Sequence, residues 1–321
     1  MTRIEPNTQN GRPPGVTSWK GSITEAGTSM ESYYGRPIIK EPVWQPEIPV
    51  YFFTGGLGGA SAILSLAASA AGNEKLAKAA RYWGAVGDNV SPLLLISDLG
   101  RPERFLNMLR VFKVTSPMSV GSWVLVCSSG ASTTAAALEL VGRLKPVKVA
   151  AEVVAALFGP LLATYTATLV SDTAVPVWHQ GRHELPFVFG FSAGATAGAA
   201  CALVLDPEDA GPARRLAIGG VVAENVAMGL MEARLGFVGE PYRKGAAGKL
   251  NVAAKGLTAV GAALMTRKRS RAAQIAGSAL VLGGELALRW SVFKAGFQSA
   301  RDPRYTVVPQ KQRRAAKTAE A

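Results

Sequence analysis

Three carboxylates stand where a charge is hardest to explain. Asp88, Glu224 and Glu285 each fall near the middle of a long apolar stretch, and Asp88 and Glu224 are each followed by an asparagine (Asn89, Asn225). Ionised groups in hydrocarbon are costly, so each should be protonated, paired, or turned toward an internal polar cavity. The chemistry open to such a set is a proton path. The plainer alternative is interhelical hydrogen bonding that locks a bundle. Lys255 and Arg289 lie within a turn or two of predicted helix ends, so both are expected to snorkel to the interface.

A denser constellation closes the second apolar stretch: Asp98-Leu99-Gly100-Arg101-Pro102-Glu103-Arg104-Phe105, an expected ion-paired, rigid hairpin. Ser116-Pro117-Met118-Ser119 follows, with a capping serine and an N1 proline to start the next helix. On the same side fall Tyr51, just inside the first stretch, and Tyr165, about two turns before the fourth ends at Asp172. Tyr51, Asp98, Arg101 and Tyr165 therefore reach one level near one interface. Phenol hydroxyls and a carboxylate beside an apolar pocket suit a ligand with an apolar tail and a carbonyl or hydroxyl head, such as a quinone. Each aromatic alone would equally serve as an interfacial anchor.

Metal chemistry finds no purchase. Cys127 and Cys201 sit in different spans with no second cysteine or histidine at ligand spacing, and read as small buried apolar residues. His179 and His183, the only histidines, are spaced i, i+4 in a loop without an evident third ligand. No span holds the axial histidines that a membrane cytochrome b needs. The glycines of Gly55-Gly56-Leu57-Gly58-Gly59 lie inside a helix and form no phosphate cradle.

The elements that must position these residues are membrane helices. Windows of about 19 residues find eight spans, at roughly 48–72, 79–98, 119–141, 147–172, 185–205, 214–233, 249–266 and 271–293. The expected fold is all-α and integral to the bilayer, with eight transmembrane helices in two four-helix bundles. Its parts are a polar tail (1–47), a first bundle (48–184), a second (185–293) and a basic tail (294–321). The pair Gly55/Gly59 presents a small-xxx-small face for close packing. The first 47 residues hold no apolar segment of the signal-peptide kind; Trp19, Tyr33, Tyr34 and Trp44 suggest that they lie along a partner or the interface. A net charge of +13 sits in tails and loops, where it meets lipid headgroups rather than nucleic acid. An even span count puts both termini on one side. A slight Lys/Arg excess there makes that side cytoplasmic, in the cell membrane.

The segments Pro49-Val50-Tyr51-Phe52-Phe53-Thr54-Gly55-Gly56, Ser97-Asp98-Leu99-Gly100-Arg101-Pro102, Ser116-Pro117-Met118-Ser119-Val120-Gly121-Ser122-Trp123 and Tyr165-Thr166-Ala167 with Val175-Pro176-Val177-Trp178 together resemble the NrfD/PsrC family. These are the membrane subunits of polysulfide reductase, formate-dependent nitrite reductase and related molybdopterin oxidoreductases. The resemblance covers about residues 46–200 in motifs, and the remainder in hydropathy and length. It implies eight helices in two bundles, a site for menaquinone or a related quinone, and no haem or cluster in this chain. It further implies a four-cluster iron–sulfur ferredoxin-like partner on the membrane face, and a molybdopterin catalytic subunit beyond it. Carried over by position, the quinone falls near Tyr51 and Tyr165, with Asp98 and Arg101 shaping the opening. Asp98 would relay protons, and Asp88 would extend the relay into the membrane. Some relatives carry His and Asn near the start of the first span, where this chain has Tyr51 and Ile48. Their Tyr-Thr-Gly reads Tyr165-Thr166-Ala167. The competing expectations are an ion- or proton-translocating, transporter-like protein working through the mid-span carboxylates, and an anchor without quinone chemistry.

Overall fold

The computed structural model describes the backbone of residues 37–99, 101, 103–267 and 270–320 and, Arg104 and Glu320 apart, their side chains. Among the described residues the regular structure is helical. A long helix stands at each apolar stretch: α1 (Glu47–Ala70), α2 (Glu74–Asp98), α4 (Pro117–Val141), α5 (Lys145–Ser171), α7 (Leu185–Val204), α8 (Gly211–Leu235), α9 (Gly245–Met265) and α10 (Arg271–Arg301). Short helices α3 (Arg104–Met108) and α6 (Pro176–Gln180) fill connections, and α11 (Arg304–Glu320) ends the chain. Six of the long helices, α1, α4, α5, α7, α8 and α10, are long and apolar enough to cross a membrane. α2 falls short because Arg81 and Asp88 lie within it, and α9 because Lys249, Asn251 and Lys255 lower its hydropathy.

Local signals set the ends. Asn73 caps α2 by accepting from the Leu76 amide at 3.1 Å. Ser116 caps α4 ahead of Pro117, accepting from Ser119 N at 3.4 Å. Gly142, at φ 69°, closes α4 in the left-handed region that glycine reaches without strain. Ser270 caps α10.

α1 is central, lying against α2, α5, α7 and α10; α4 packs on α5 and α2, α8 on α7, and α9 on α10. At Gly58 and Gly59 the neighbouring backbones come too close for a side chain. A Cβ on Gly58 would sit 2.8 Å from Asp88 Cγ, and one on Gly59 would overlap the Gly159 carbonyl. The predicted Gly55/Gly59 pair is thus half right: Gly55 makes only ordinary contacts. Valine, leucine and phenylalanine remain exposed on the outer faces, among them Leu157 and Leu161 of α5, Phe187 of α7 and Leu230 of α8. Apolar side chains spread over helix after helix in this way belong against lipid rather than water.

The two ends of the chain differ most from the sequence reading. α10 does not stop at 293 but continues to Arg301, burying Ala295, Gly296, Ser299 and Ala300. These small residues lower a hydropathy average while fitting a tight interface. The basic tail beyond it is helical as α11. Tyr305 at its start is buried, its hydroxyl donating to Glu240 at 2.9 Å; burial and this bond push the phenol up to about 12. Of the N-terminal tail, residues 37–46 lie on the chain's own surface. Trp44 stacks on Trp178 with centroids 5.5 Å apart, and Glu41 pairs with Arg301 at 2.8 Å. Trp19, Tyr33 and Tyr34 fall outside the described residues, as do Gly100 and Pro102 of the hairpin.

Candidate functional site

Tyr51 lies one turn into α1 and is buried; Tyr165 reaches it from α5, and the two phenols are near enough to interact electrostatically. Gly121, one turn into α4, makes the place for Tyr165, because any Cβ there would overlap the ring. Among the described residues neither phenol hydroxyl has a hydrogen-bond partner. The apolar cluster that contains Tyr51 has Leu94, Leu95, Val120 and Phe158 half-buried at its margin. Asp98, the last residue of α2, accepts the Gln45 amide at 2.8 Å and so fastens that helix to the chain just before α1. Arg101 follows and is exposed. Tyr51, Tyr165 and Asp98 thus gather at one end of α1, α2 and α5, while Arg101 points outward from the connection to α3.

Deeper along α2, Thr54 and Ser91 share a hydrogen bond of 2.9 Å. Asp88 is fully buried next, facing Gly58. Its Oδ2 accepts from Ser128 at 2.8 Å and from Ser132, both on α4, and its Oδ1 has no partner. The carboxyl is therefore held by hydroxyl donors, with no cation against it among the described residues.

Glu224 and Glu285 are elsewhere, among α7, α8 and α10. Their carboxyl groups face each other, and Glu285 also accepts from Ser192. Beside them is Arg289, and here the structure corrects the sequence reading. Arg289 does not snorkel: it is 1% exposed, its guanidinium lies 3.8 Å from the centre of the Phe189 ring, and Nη2 donates to the Phe189 carbonyl at 3.0 Å. Extension of α10 to Arg301 moves Arg289 inward from the helix end. Lys255 is partly exposed and pairs with Glu232 at 2.7 Å.

One buried cluster escaped the sequence reading. Arg81 of α2 and Glu152 of α5, each almost fully buried, form an ion pair; Arg81 Nη1 stands 3.0 Å from Glu139, which pairs with Lys148 at 2.8 Å. The i, i+4 spacing of Lys148 and Glu152 at the start of an apolar helix was the available signal. Cys201 is buried and Cys127 half-buried. His179 lies on α6 with Nδ1 3.3 Å from the Ser171 carbonyl, and among the described residues no group of three His, Cys, Asp or Glu could hold a metal.

Apolar helices around an interior lined with hydroxyl and carboxyl groups define a multi-pass helical membrane protein. The polysulfide reductase family of the NrfD type matches residues 30–302, well past the 46–200 that the motifs cover, and the chain belongs to that family. No curated protein matches it.

Proposed function

We propose that this chain is the quinone-reactive membrane subunit of a multi-subunit oxidoreductase in the cell membrane. It passes two electrons between menaquinone or a related quinone and a four-cluster iron–sulfur subunit, itself joined to a molybdopterin catalytic subunit. The observation that carries the reading is the pair Tyr51 and Tyr165, two phenol donors without partners at an apolar margin. A quinone headgroup offers two carbonyl oxygens to such donors, and its isoprenoid tail suits the half-buried Leu94, Leu95, Val120 and Phe158. Asp98, bonded to the Gln45 amide just ahead of α1, would exchange protons with water. Arg101, exposed beyond it, would shape the opening toward the partner.

In this reading all eight long helices cross the bilayer as two four-helix groups, α1, α2, α4, α5 and α7 to α10. α2 crosses because its charges face inward onto partners. An even number of crossings leaves both ends on one side, which the charge bias makes cytoplasmic. Asp88 belongs to the proton path. Glu224 and Glu285 were expected on it too, but they face each other, with Glu285 held by Ser192 and Arg289 nearby. A lock for α7, α8 and α10 accounts for them better than a transporter's ion site.

The test is the purified complex carrying Tyr165→Phe or Asp98→Asn. Quinol-linked turnover should fall by about 10²-fold while reduction of a soluble dye by the partner subunits persists. Unchanged quinol turnover in both variants would remove the site assignment.

A further inference from the structure

The connection from α2 to α4 differs in build from the next one on its side of the molecule. There α6 buries Pro176, Val177 and Trp178. The α2–α4 connection buries Phe105 but leaves Leu106, Val111, Phe112 and Val114 exposed, Val114 at 76%. Yet it does not stand off from the bundle. The Lys113 amide donates to Ser119 Oγ at 3.0 Å, and that hydroxyl donates to the Val111 carbonyl at 2.9 Å. Ser122 Oγ reaches Met108 Sδ at 3.6 Å. These bonds draw residues 108–113 back along the first two turns of α4. Phe112 ends edge-on to Trp123, with ring centroids 6.4 Å apart.

Trp123 fixes the depth. It lies about 9 Å along the axis of α4 from Pro117 and is exposed on the outer face, at the level where membrane helices carry aromatic belts. Apolar side chains beside it meet the boundary between headgroups and acyl chains. The charges give the kind of lipid. Residues 101–116 hold Arg101, Arg104, Arg110 and Lys113 against the single acid Glu103. The side chains of Arg101, Arg110 and Lys113 are exposed and, among the described residues, form no ion pair. Elsewhere on this side carboxylates take up exposed cations, Glu184 pairing with Arg234 and Glu41 with Arg301. Unpaired cations flanking exposed valine and phenylalanine at the interface match an anionic headgroup above its acyl chains. A soluble protein would have to reach below the headgroups to cover Phe112.

We propose that residues 106–114 form an interfacial anchor for anionic phospholipid. Arg110 and Lys113 hold the lipid phosphate, and the acyl chains lie on Val111, Phe112 and Trp123. The anchor stands without the quinone reading. Joined to that reading, it has a consequence for the berth. The same two turns of α4 carry Gly121, which makes the place for the Tyr165 ring, and Val120 at the apolar margin. Lipid held on the outer face therefore steadies the wall past which a lipid-soluble ligand enters.

Hydrogen exchange on the intact complex tests the anchor, in nanodiscs of phosphatidylcholine alone and of phosphatidylcholine with phosphatidylglycerol. In wild type the anionic lipid should slow amide exchange across residues 106–114. Arg110→Gln/Lys113→Gln should need about 30-fold more phosphatidylglycerol for the same protection, roughly fivefold for each cation. Phe112→Ser should lose protection in both lipids. Tyr165→Phe, the variant that tests the quinone site, should keep the lipid-dependent protection of wild type, so the two readings fail separately. Equal exchange of 106–114 in the two nanodiscs, or full protection retained by the double variant, would overturn the anchor.

Discussion

Two sets of buried charges occupy this protein, and they are arranged oppositely. Among α1, α2, α4 and α5 the ionisable groups are strung out along the helix axes, Arg81 and Glu152 at one end, Asp88 between, Asp98 at the other, with hydroxyls and a water-sized cavity in the gaps. Among α7, α8 and α10 they are gathered at one level, Glu224 against Glu285 with Arg289 beside them. A chain of separated groups can hand a proton onward. A cluster gathered at one level ties the helices that supply it together. The same residue types are thus strung along the helices in one region and gathered across them in the other.

Breaking the closed cluster should give the largest effect on stability. Arg289→Leu leaves two facing carboxyls with no cation and should cost about 3–5 kcal/mol. The readout is the unfolding temperature of the detergent-solubilised complex, with turnover per folded complex preserved. Lost turnover at unchanged stability would move this cluster into the mechanism. Next is Gly58→Ala, whose methyl must displace Asp88 or spread α1 from α2. It should cost about 1–3 kcal/mol and lower turnover as well, because Asp88 moves off Ser128 and Ser132. The smallest and sharpest comparison is a pair: Ser128→Ala and Ser192→Ala each remove one hydroxyl donor from a buried carboxyl, at about 1 kcal/mol apiece. Only the Ser128 change should slow quinone-linked turnover. Equal slowing would erase the distinction between the two regions.

Much of this was legible in the sequence. Every apolar interval is a long helix, because hydropathy over some twenty residues is a strong signal, and the capping serine Ser116 marks where α4 begins. Tyr51, Tyr165 and Asp98 were placed at one level by counting turns, and the structure brings them to one end of the bundle. What failed, failed for a single reason: hydropathy reports composition and says nothing of which face meets a neighbour. Ala295, Gly296 and Ser299 looked like the start of a tail, so α10 was cut short and Arg289 was put at its end. Arg81 and Glu152 are 71 residues apart on helices α2 and α5, and only packing reveals them as a pair. Ser128 and Ser132 carry no sequence signal of their own, and only packing sets them on Asp88.

The berth beside Tyr51 and Tyr165 is the central claim, and a photoreactive quinone analogue tests it without relying on activity. Illuminated in the intact complex and mapped by peptide mass, it should label α1 near Tyr51 or α5 near Tyr165, with natural quinone in excess suppressing the label. Label in the outer groove of Phe187, Phe191, Val226 and Leu230, or none that natural quinone displaces, would contradict the account.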